Sequence, residues 1–247
     1  MPNKLRVAIF AQSRDLSDQI LKKILKLKSK LNIILVVSDK EFREKLNHNN
    51  FKNFVWLKNN KNNSLKLFQI LKKFSGKDLY AFSLQHRWRV EKKIIEKFKL
   101  FINFHYGDIP KYRGHNPVAH AILNNEKSIY GTIHSIDDKL DQGLLIGKVK
   151  VKNHKISSYD IEKIITIKFA NYFENLLIKI INKKKIIYKK IINKNNTFYS
   201  FKNLKKLKEV KSFDEIINKT RAFDYPPHVP AYIKINNTKI YLRTKPN

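Results

Sequence analysis

Short apolar runs alternate with longer amphipathic segments along the first hundred residues. The run from Leu5 to Phe10 is apolar and β-branched, and apolar residues recur at helical spacing from Asp15 to Lys28. Three pairs of the same kind follow, with apolar runs at 33–37, 53–57 and 79–83 and helical segments at 40–47, 64–74 and 90–98. Strands that alternate with helices predict an α/β fold with a mostly parallel sheet. Ligands of such sheets bind at the carboxyl ends of the strands.

The next apolar run, which begins at Phe101, carries two polar residues near its end. Residues two apart on a strand point to the same side, so Asn103 and His105 are expected to face one site. Further along, Asp141 lies in a glycine-closed loop between apolar runs at 130–136 and 144–151. An amide, an imidazole and a carboxylate at strand ends suit acyl-transfer chemistry. In that chemistry Asn103 is the oxyanion donor, His105 the proton carrier and Asp141 its orienter.

After Val151 the regular alternation of short apolar runs and helical segments ends. Ser157 and Asp160 form a capping box for a long helix that should pack on the sheet. Its apolar stripe comprises Ile161, Ile165, Phe169, Tyr172, Phe173, Leu176 and Ile180. A second helix is predicted from Ser212, and two short strands flank Asn236-Asn237 as a β-hairpin. We therefore predict a Rossmann-like catalytic domain with helices on both faces and the long helix at 1–182, and a small C-terminal region with a helix and the hairpin at 183–247.

The composition excludes several kinds of site. The chain has no cysteine, which rules out disulfides, thiol nucleophiles and thiolate zinc sites. The histidine and aspartate residues lack a tight ligand spacing, so no metal is expected. His115 and His120 are interpreted as surface or packing residues, and His134 as a structural support of the site. No apolar run approaches the roughly 20 residues that span a bilayer, and the start lacks a signal-peptide pattern, so we expect a cytoplasmic protein.

The formal net charge is +32, which would ordinarily indicate a nucleic-acid or anionic membrane partner. The lysines are scattered among isoleucine and asparagine along the whole chain. We interpret them as a solvated coat. Steering of anionic substrates and incidental nucleic-acid binding that fades as salt rises stay open.

Three spaced motifs together resemble the folate-dependent formyltransferases, which move a formyl group from N10-formyltetrahydrofolate to an amine. They are Asn-x-His at 103–105, Ile-Pro-x-Tyr-Arg-Gly at 109–114 and Thr-x-His-x-x-Asp-x-x-x-Asp-x-Gly at 132–143. The resemblance extends from the start to about Val151. In that family the Asn, His and Asp of these motifs are catalytic, which assigns catalysis to Asn103, His105 and Asp141, with no metal.

The resemblance and the strand ends together indicate candidate binding residues. For the folate co-substrate these are Gln85, His86, Trp88, Asp137, Asp138 and Leu140. For the acceptor substrate these are Ser13, Arg14, Tyr106, Tyr112, Arg113 and Gly114. A helix cap is the alternative role for Ser13 and Arg14, and an exposed loop with one anchoring aromatic is the alternative for residues 85–88.

The tail Thr220-Arg221-Ala222-Phe223-Asp224-Tyr225-Pro226-Pro227 looks most like the sugar N-formyltransferases. Such enzymes formylate nucleotide-linked, typically dTDP-linked, amino-deoxy sugars for surface polysaccharides such as lipopolysaccharide O-antigen. The resemblance implies a folate and a sugar nucleotide as ligands. The hairpin is marginally stable alone, so we expect it to pack against a second subunit in a homodimer. Neither a membrane nor a nucleic acid is the expected partner.

Three other functions account for the sequence less well. A methionyl-tRNA formyltransferase is favoured by the basic charge, but the residues after the long helix are too few for the tRNA-binding barrel of that branch. A glycinamide ribonucleotide formyltransferase is disfavoured by the tail. A non-catalytic nucleic-acid-binding protein on the same fold would need basic residues on one face.

Overall fold

The computed structural model describes residues 4–60, 62–74, 78–86, 88–137, 141, 143–191, 197–200, 204 and 206–244. These residues group into two compact units. The first unit comprises Met1–His105, Ile133–Gly147 and Thr166–Ile191, and the second comprises Tyr106–Thr132, Lys148–Ile165 and Ile192–Asn247. The domain boundary proposed at residue 182 stays a prediction.

The strands and helices alternate through residue 105 as the periodicity predicts. The strands are β1 (Leu5–Ala11), β2 (Leu31–Ser38), β3 (Val55–Lys58), β4 (Leu79–Leu84), β5 (Leu100–His105), β6 (Arg113–Gly114), β7 (Ser128–Ser135), β8 (Leu145–Lys152), β9 (Phe198–Tyr199), β10 (Ala231–Ile235) and β11 (Thr238–Leu242). The helices are α1 (Asp15–Lys26), α2 (Lys40–His48), α3 (Ser64–Lys73), α4 (Lys92–Ile95), α5 (Pro117–Leu123), α6 (Ser158–Ile181) and α7 (Ile216–Phe223).

Seven strands form the central sheet in the order β3-β2-β1-β4-β5-β7-β8. The pairs β1–β2, β1–β4, β2–β3 and β4–β5 are parallel, which confirms the α/β fold with a mostly parallel sheet. In the β4–β5 register Ser83 lies opposite Asn103. The carboxyl ends of β4 and β5 therefore meet at one edge of the sheet, where the candidate catalytic residues were expected.

One helix is much shorter than the periodicity indicates. The segment 90–98 was predicted to be helical throughout, but α4 ends at Ile95. The backbone N–H groups of Lys97 and Phe98 bond three residues back instead of four, and Lys99 N already donates to Leu79 O at 2.8 Å. The chain has to turn here to enter β5, and this turn shortens the helix.

The long helix forms as its capping box predicts. Ser157 Oγ accepts a hydrogen bond from Asp160 N at 3.1 Å, and α6 follows. Within the first unit, Phe169 and Phe173 pack on Phe104 with ring centroids 5.4 and 6.1 Å apart. Because side chains alternate along a strand, this contact puts α6 on the face of β5 opposite Asn103 and His105.

The second unit contains the tail at 220–227 and the hairpin. Helix α5 packs on α7, and Arg221 Nε of α7 donates to Ile156 O at 3.1 Å. Strands β10 and β11 pair antiparallel around Asn236 and Asn237, whose φ angles are 44° and 64°. The hairpin predicted from this asparagine pair is therefore confirmed.

A search of the described helices finds none that combines the length and the apolarity needed to cross a bilayer.

Candidate active site

Two polar side chains project from the end of β5. Asn103 is half-buried and His105 is buried, while Phe104 between them points into the packing with α6. This alternation follows from strand geometry. The apolar run thus delivers an amide and an imidazole to one side of the sheet, as the sequence predicts.

His134 on β7 fixes the orientation of the Asn103 amide. The Asn103 Nδ2 and His134 Nε2 atoms are 3.2 Å apart, and His134 Nδ1 is 2.8 Å from the carbonyl oxygen of Ser135. A carbonyl only accepts, so Nδ1 carries the proton and Nε2 accepts from the amide. Burial lowers the pKa of His134 to about 4, against the opposing effect of the Asp141 carboxylate. His134 is therefore neutral at neutral pH and acts as an acceptor.

Asp141 brings a carboxylate to both imidazoles. Its Oδ1 lies 3.8 Å from His105 Nδ1 and 3.7 Å from His134 Nε2. The carboxylate is buried, and a buried charge is stabilised by an opposite charge nearby. An imidazolium formed when His105 accepts a proton would supply that opposite charge. The structure thus brings Asn103, His105 and Asp141 together in the first unit, and their catalytic roles are proposed below.

Gly143 closes the loop that holds Asp141. Leu144 N donates to Ser135 Oγ at 2.8 Å and Ser135 N donates to Leu144 O at 2.9 Å. A Cβ built at Gly143 would lie 1.7 Å from Ser135 O, so only glycine fits against this backbone. Asp141 itself has a φ of 53°, which marks a tight turn. The sequence analysis did not identify Ser135, because nothing in a single sequence indicates that its side chain closes this loop.

We expect Gly143→Ala to lower both stability and formyl transfer. The added methyl group meets backbone that no side-chain rotation can clear, and overpacking of this kind typically costs about 1–3 kcal/mol. The displaced loop also moves the Asp141 carboxylate. Urea unfolding and initial rates measure the two effects. Leu144→Ala is the matched control, since Leu144 is exposed and such a change usually stays within about 0.5 kcal/mol. Equal unfolding midpoints for Gly143→Ala and the parent would contradict this prediction.

The residues after β4 have buried polar atoms without partners among the described residues. They are Gln85 Oε1 and His86 Nδ1. The His86 ring packs edge-on against Phe10 at 5.4 Å, and burial lowers its pKa to about 4. Trp88 is 42% exposed and Asp137 is half-buried. Asp138 and Leu140, also predicted for the folate, lie outside the described residues.

Ser13 and Arg14 lie at the start of α1. Ser13 N donates to Asp39 Oδ2 at 2.7 Å, and Lys45 Nζ donates to Ser13 Oγ at 2.6 Å. Arg14 N donates to Ser17 Oγ at 3.0 Å. These bonds order the helix start, and a contact with substrate phosphate stays a prediction.

The other residues predicted for the acceptor belong to the second unit. Tyr106 is buried, and Tyr112 donates from its hydroxyl to Glu126 at 2.7 Å. Burial and this bond raise the pKa of Tyr112. Arg113 and Gly114 form β6, which pairs with β9, and Gly114 needs its φ of +90° there. The binding roles of these four residues stay predictions.

His120, interpreted as a surface or packing residue, is a packing residue. It is buried, and its ring stacks on Tyr199 with centroids 3.9 Å apart. Within the described part of the chain, no three His, Asp or Glu side chains are grouped closely enough to hold a metal ion.

A family model described as formyl transferase matches residues 3–180. A curated relative, the methionyl-tRNA formyltransferase of Thermotoga neapolitana, is 26% identical over 149 residues, which are 56% of this chain and 45% of that protein. The chain spans less than half the length of the curated relatives that it matches.

Two solved structures resemble the chain over nearly its full length. A 4-N formyltransferase from Francisella tularensis has a TM-score of 0.73 at 20% identity and covers 97% of both chains. An N-formyltransferase from Helicobacter canadensis, solved with folinic acid and dTDP-3-aminofucose, has a TM-score of 0.72 at 22% identity. It covers 96% of this chain and 86% of that one. At these identities the likeness establishes the fold.

Proposed function

Because the chain belongs to the formyl transferase family, we propose that it transfers a formyl group from N10-formyltetrahydrofolate to the amine of a nucleotide-linked, dTDP-type amino-deoxy sugar. The observation that carries this proposal is the grouping of Asn103, His105 and Asp141 at the carboxyl end of β5. These are the residues that the family motifs mark as catalytic. Asp141 lies 3.8 Å from His105, and His134 links Asn103 to Asp141 through distances of 3.2 and 3.7 Å.

The residues after β4 fit a folate. The buried polar atoms Gln85 Oε1 and His86 Nδ1 lack partners among the described residues, and leaving such atoms unpaired costs free energy. The donors and acceptors on the edge of a pterin would satisfy them, and Trp88 offers a partly exposed aromatic face. When bound, the folate supplies an electrophilic formyl carbon.

His105 would take the proton from the attacking amine. The amine has to lose a proton to form an amide, and the folate nitrogen N10 has to gain one as its bond to the formyl carbon breaks, so His105 would pass the proton on to N10. A positioned base typically contributes about 10²–10⁴-fold. Since Asp141 Oδ1 is 3.8 Å from His105 Nδ1, the carboxylate stabilises the imidazolium and leaves Nε2 to accept the proton. Burial of this pair strengthens the interaction.

Asn103 would stabilise the negative charge that develops on the formyl oxygen. One Nδ2 hydrogen points to His134 Nε2, so the amide is held in place and its second hydrogen stays available. A preorganised donor needs no reorganisation when charge appears. His134 is a positioning residue in this account, because it acts through Asn103.

A sugar amine is the acceptor that the second unit favours. It contains the tail at 220–227 and the hairpin, whose sequence resembles that of the sugar N-formyltransferases. The alternative acceptor, methionyl-tRNA, is favoured by the curated relatives and by the net charge of +32.

A panel of acceptors separates the two functions. The full chain and N10-formyltetrahydrofolate are incubated in turn with dTDP-linked 3-amino and 4-amino sugars and with methionyl-tRNA, and initial rates of amide formation give kcat/KM for each. We expect turnover of at least one sugar nucleotide and none of the tRNA. Turnover of methionyl-tRNA alone would replace the proposal by the alternative. Binding of RNA at physiological salt with no turnover of any acceptor would favour a non-catalytic nucleic-acid-binding protein.

The hairpin also supports a homodimer. Ile235, Ile240 and Tyr241 are each about half exposed, and a two-stranded hairpin is marginally stable unless its apolar face is covered. We predict a dimer in light scattering at micromolar concentration, and a shift to monomer for Ile240→Lys. Thr238→Lys adds the same charge to the exposed end of β11 without removing apolar surface, and should stay dimeric. A monomeric parent protein would contradict this prediction.

A further inference from the structure

A surface depression of about 400 Å³ lies on the first unit at the β3 edge of the sheet. Helix α2, the connection after it and β3 form its walls. The lining residues are Arg43, Asn47, Lys52, Asn53, Phe54 and Trp56. The volume is within the range of small-molecule pockets, about 300–1,000 Å³.

The depression is separate from the candidate active site. Strands β2, β1 and β4 lie between β3 and β5. Four strand spacings of about 4.8 Å separate β3 from β5 by about 19 Å. Nothing in the proposed formyl transfer uses these residues.

Two side chains form a rigid stacking surface in the depression. The guanidinium of Arg43 lies over the Trp56 ring, 4.6 Å from its centroid. Trp56 Nε1 donates to Ser38 Oγ at 3.2 Å, and this hydroxyl in turn donates to Asp39 O at 2.8 Å. The indole is thus held in one orientation. Planar bases stack on aromatic rings and on guanidinium planes alike.

The charge of the depression is positive and uncompensated. No carboxylate of the described residues lies within ion-pair distance of Arg43 or Lys52. The acidic residues of α2 are engaged elsewhere, since Glu41 pairs with Lys45 at 3.0 Å and Glu44 with Lys40 at 3.5 Å.

The Asp39 carboxylate, at the start of α2, is also occupied. It accepts hydrogen bonds from the backbone N–H groups of Phe42 and Ser13. The two cations of the depression are therefore available to an anionic ligand.

We propose that this depression binds a nucleotide at a second site. A base would stack on the Arg43–Trp56 pair, with Phe54 as an apolar wall. The amides of Asn47 and Asn53 offer both donors and acceptors, which match the mixed edge of a base. Arg43 and Lys52 would bind the phosphate, the guanidinium in bidentate geometry. The combination of planar, amide and cationic groups selects a nucleotide over a simple anion.

Trp56 provides a direct readout. The chain has two tryptophans, so Trp88→Phe leaves Trp56 as the single tryptophan, which can be excited selectively over tyrosine. We expect AMP or UMP to change its fluorescence saturably, with a dissociation constant below about 1 mM, while inorganic phosphate at the same concentrations does not. Arg43→Gln, in the same background, should weaken binding about tenfold or more, because it removes the charged stacking and phosphate contacts.

Matched lysine variants distinguish binding in the depression from non-specific attraction to the basic surface. Lys52→Gln and Lys22→Gln each remove one exposed lysine. Only Lys52→Gln should weaken nucleotide binding. Lys52→Gln also tests the site if Arg43→Gln fails to fold. The proposal is wrong if Trp56 emission shows no saturable change with any mononucleotide. Equal affinities in the parent, Arg43→Gln and Lys52→Gln would also overturn it, as would a response to phosphate alone or only to oligonucleotides.

Discussion

Replacing His105 with alanine is expected to lower kcat for formyl transfer by about 10²–10⁴-fold. The imidazole is the only proton acceptor that the proposed mechanism uses, and its interactions strengthen mainly in the transition state. Binding of folate and sugar nucleotide should therefore change little. Stopped-flow or initial-rate assays give kcat, and equilibrium titration gives the two dissociation constants. His48→Ala is the matched control, since His48 is exposed on α2 and its ring bonds to Glu44 O of its own helix.

The Asp141 carboxylate should act through the same imidazole. Asp141→Ala is expected to lower kcat, because it removes the carboxylate that orients His105 and balances its charge. The double variant His105→Ala, Asp141→Ala should have a kcat little lower than that of the worse single variant. Losses that multiply in the double variant would mean that the two residues act independently. A folded His105→Ala protein within about tenfold of the parent rate would contradict a base role for His105.

The second large effect is expected at Asn103. Asn103→Ala should lose about 10²–10³-fold in kcat, because it removes a preorganised donor to the formyl oxygen. KM should change less, since the charge appears only as the bond forms. Asn49→Ala is a suitable control, as Asn49 is a half-buried asparagine that bonds to Lys45 O beside α2.

A variant of His134 tests whether this residue orients the Asn103 amide, as distinct from the hydrogen bond that Asn103 itself donates to the formyl oxygen. His134→Phe keeps a buried ring but removes the acceptor for Asn103 Nδ2, so kcat should fall by a smaller factor than for Asn103→Ala. In the His134→Phe background, the further cost of Asn103→Ala should then be smaller than in the parent. An unchanged cost of Asn103→Ala in that background would show that His134 does not position the amide. Thermal unfolding of each variant excludes a simple loss of folding.

Local patterns in the sequence predicted much of this fold. The two-residue spacing of Asn103 and His105, with Phe104 between them, fixes which side each faces, and packing of Phe104 on Phe169 agrees. The Ser157–Asp160 capping box and the Asn236-Asn237 turn also act locally, through hydrogen bonds and φ angles that a few residues determine.

Other features depend on contacts that no local pattern contains. Helix α4 ends at Ile95 because Lys99 has to pair with Leu79. His134 could be interpreted only as a support, since its bond to Asn103 needs β7 to lie beside β5 in the sheet. The close approach of Gly143 to Ser135 O is likewise tertiary. The depression at Arg43 and Trp56 could not be predicted from the sequence, because it forms only when α2 and β3 pack side by side.

The most direct test of the central claim is a single-turnover transfer of a ¹³C-labelled formyl group. The parent protein, with labelled N10-formyltetrahydrofolate and a dTDP-linked amino sugar, is followed by mass spectrometry and NMR beside His105→Ala. Our account predicts one labelled formyl amide on the sugar amine with the parent, and binding of both ligands but almost no transfer with His105→Ala. Absence of label on every sugar nucleotide tested, or undiminished transfer by His105→Ala, would contradict it.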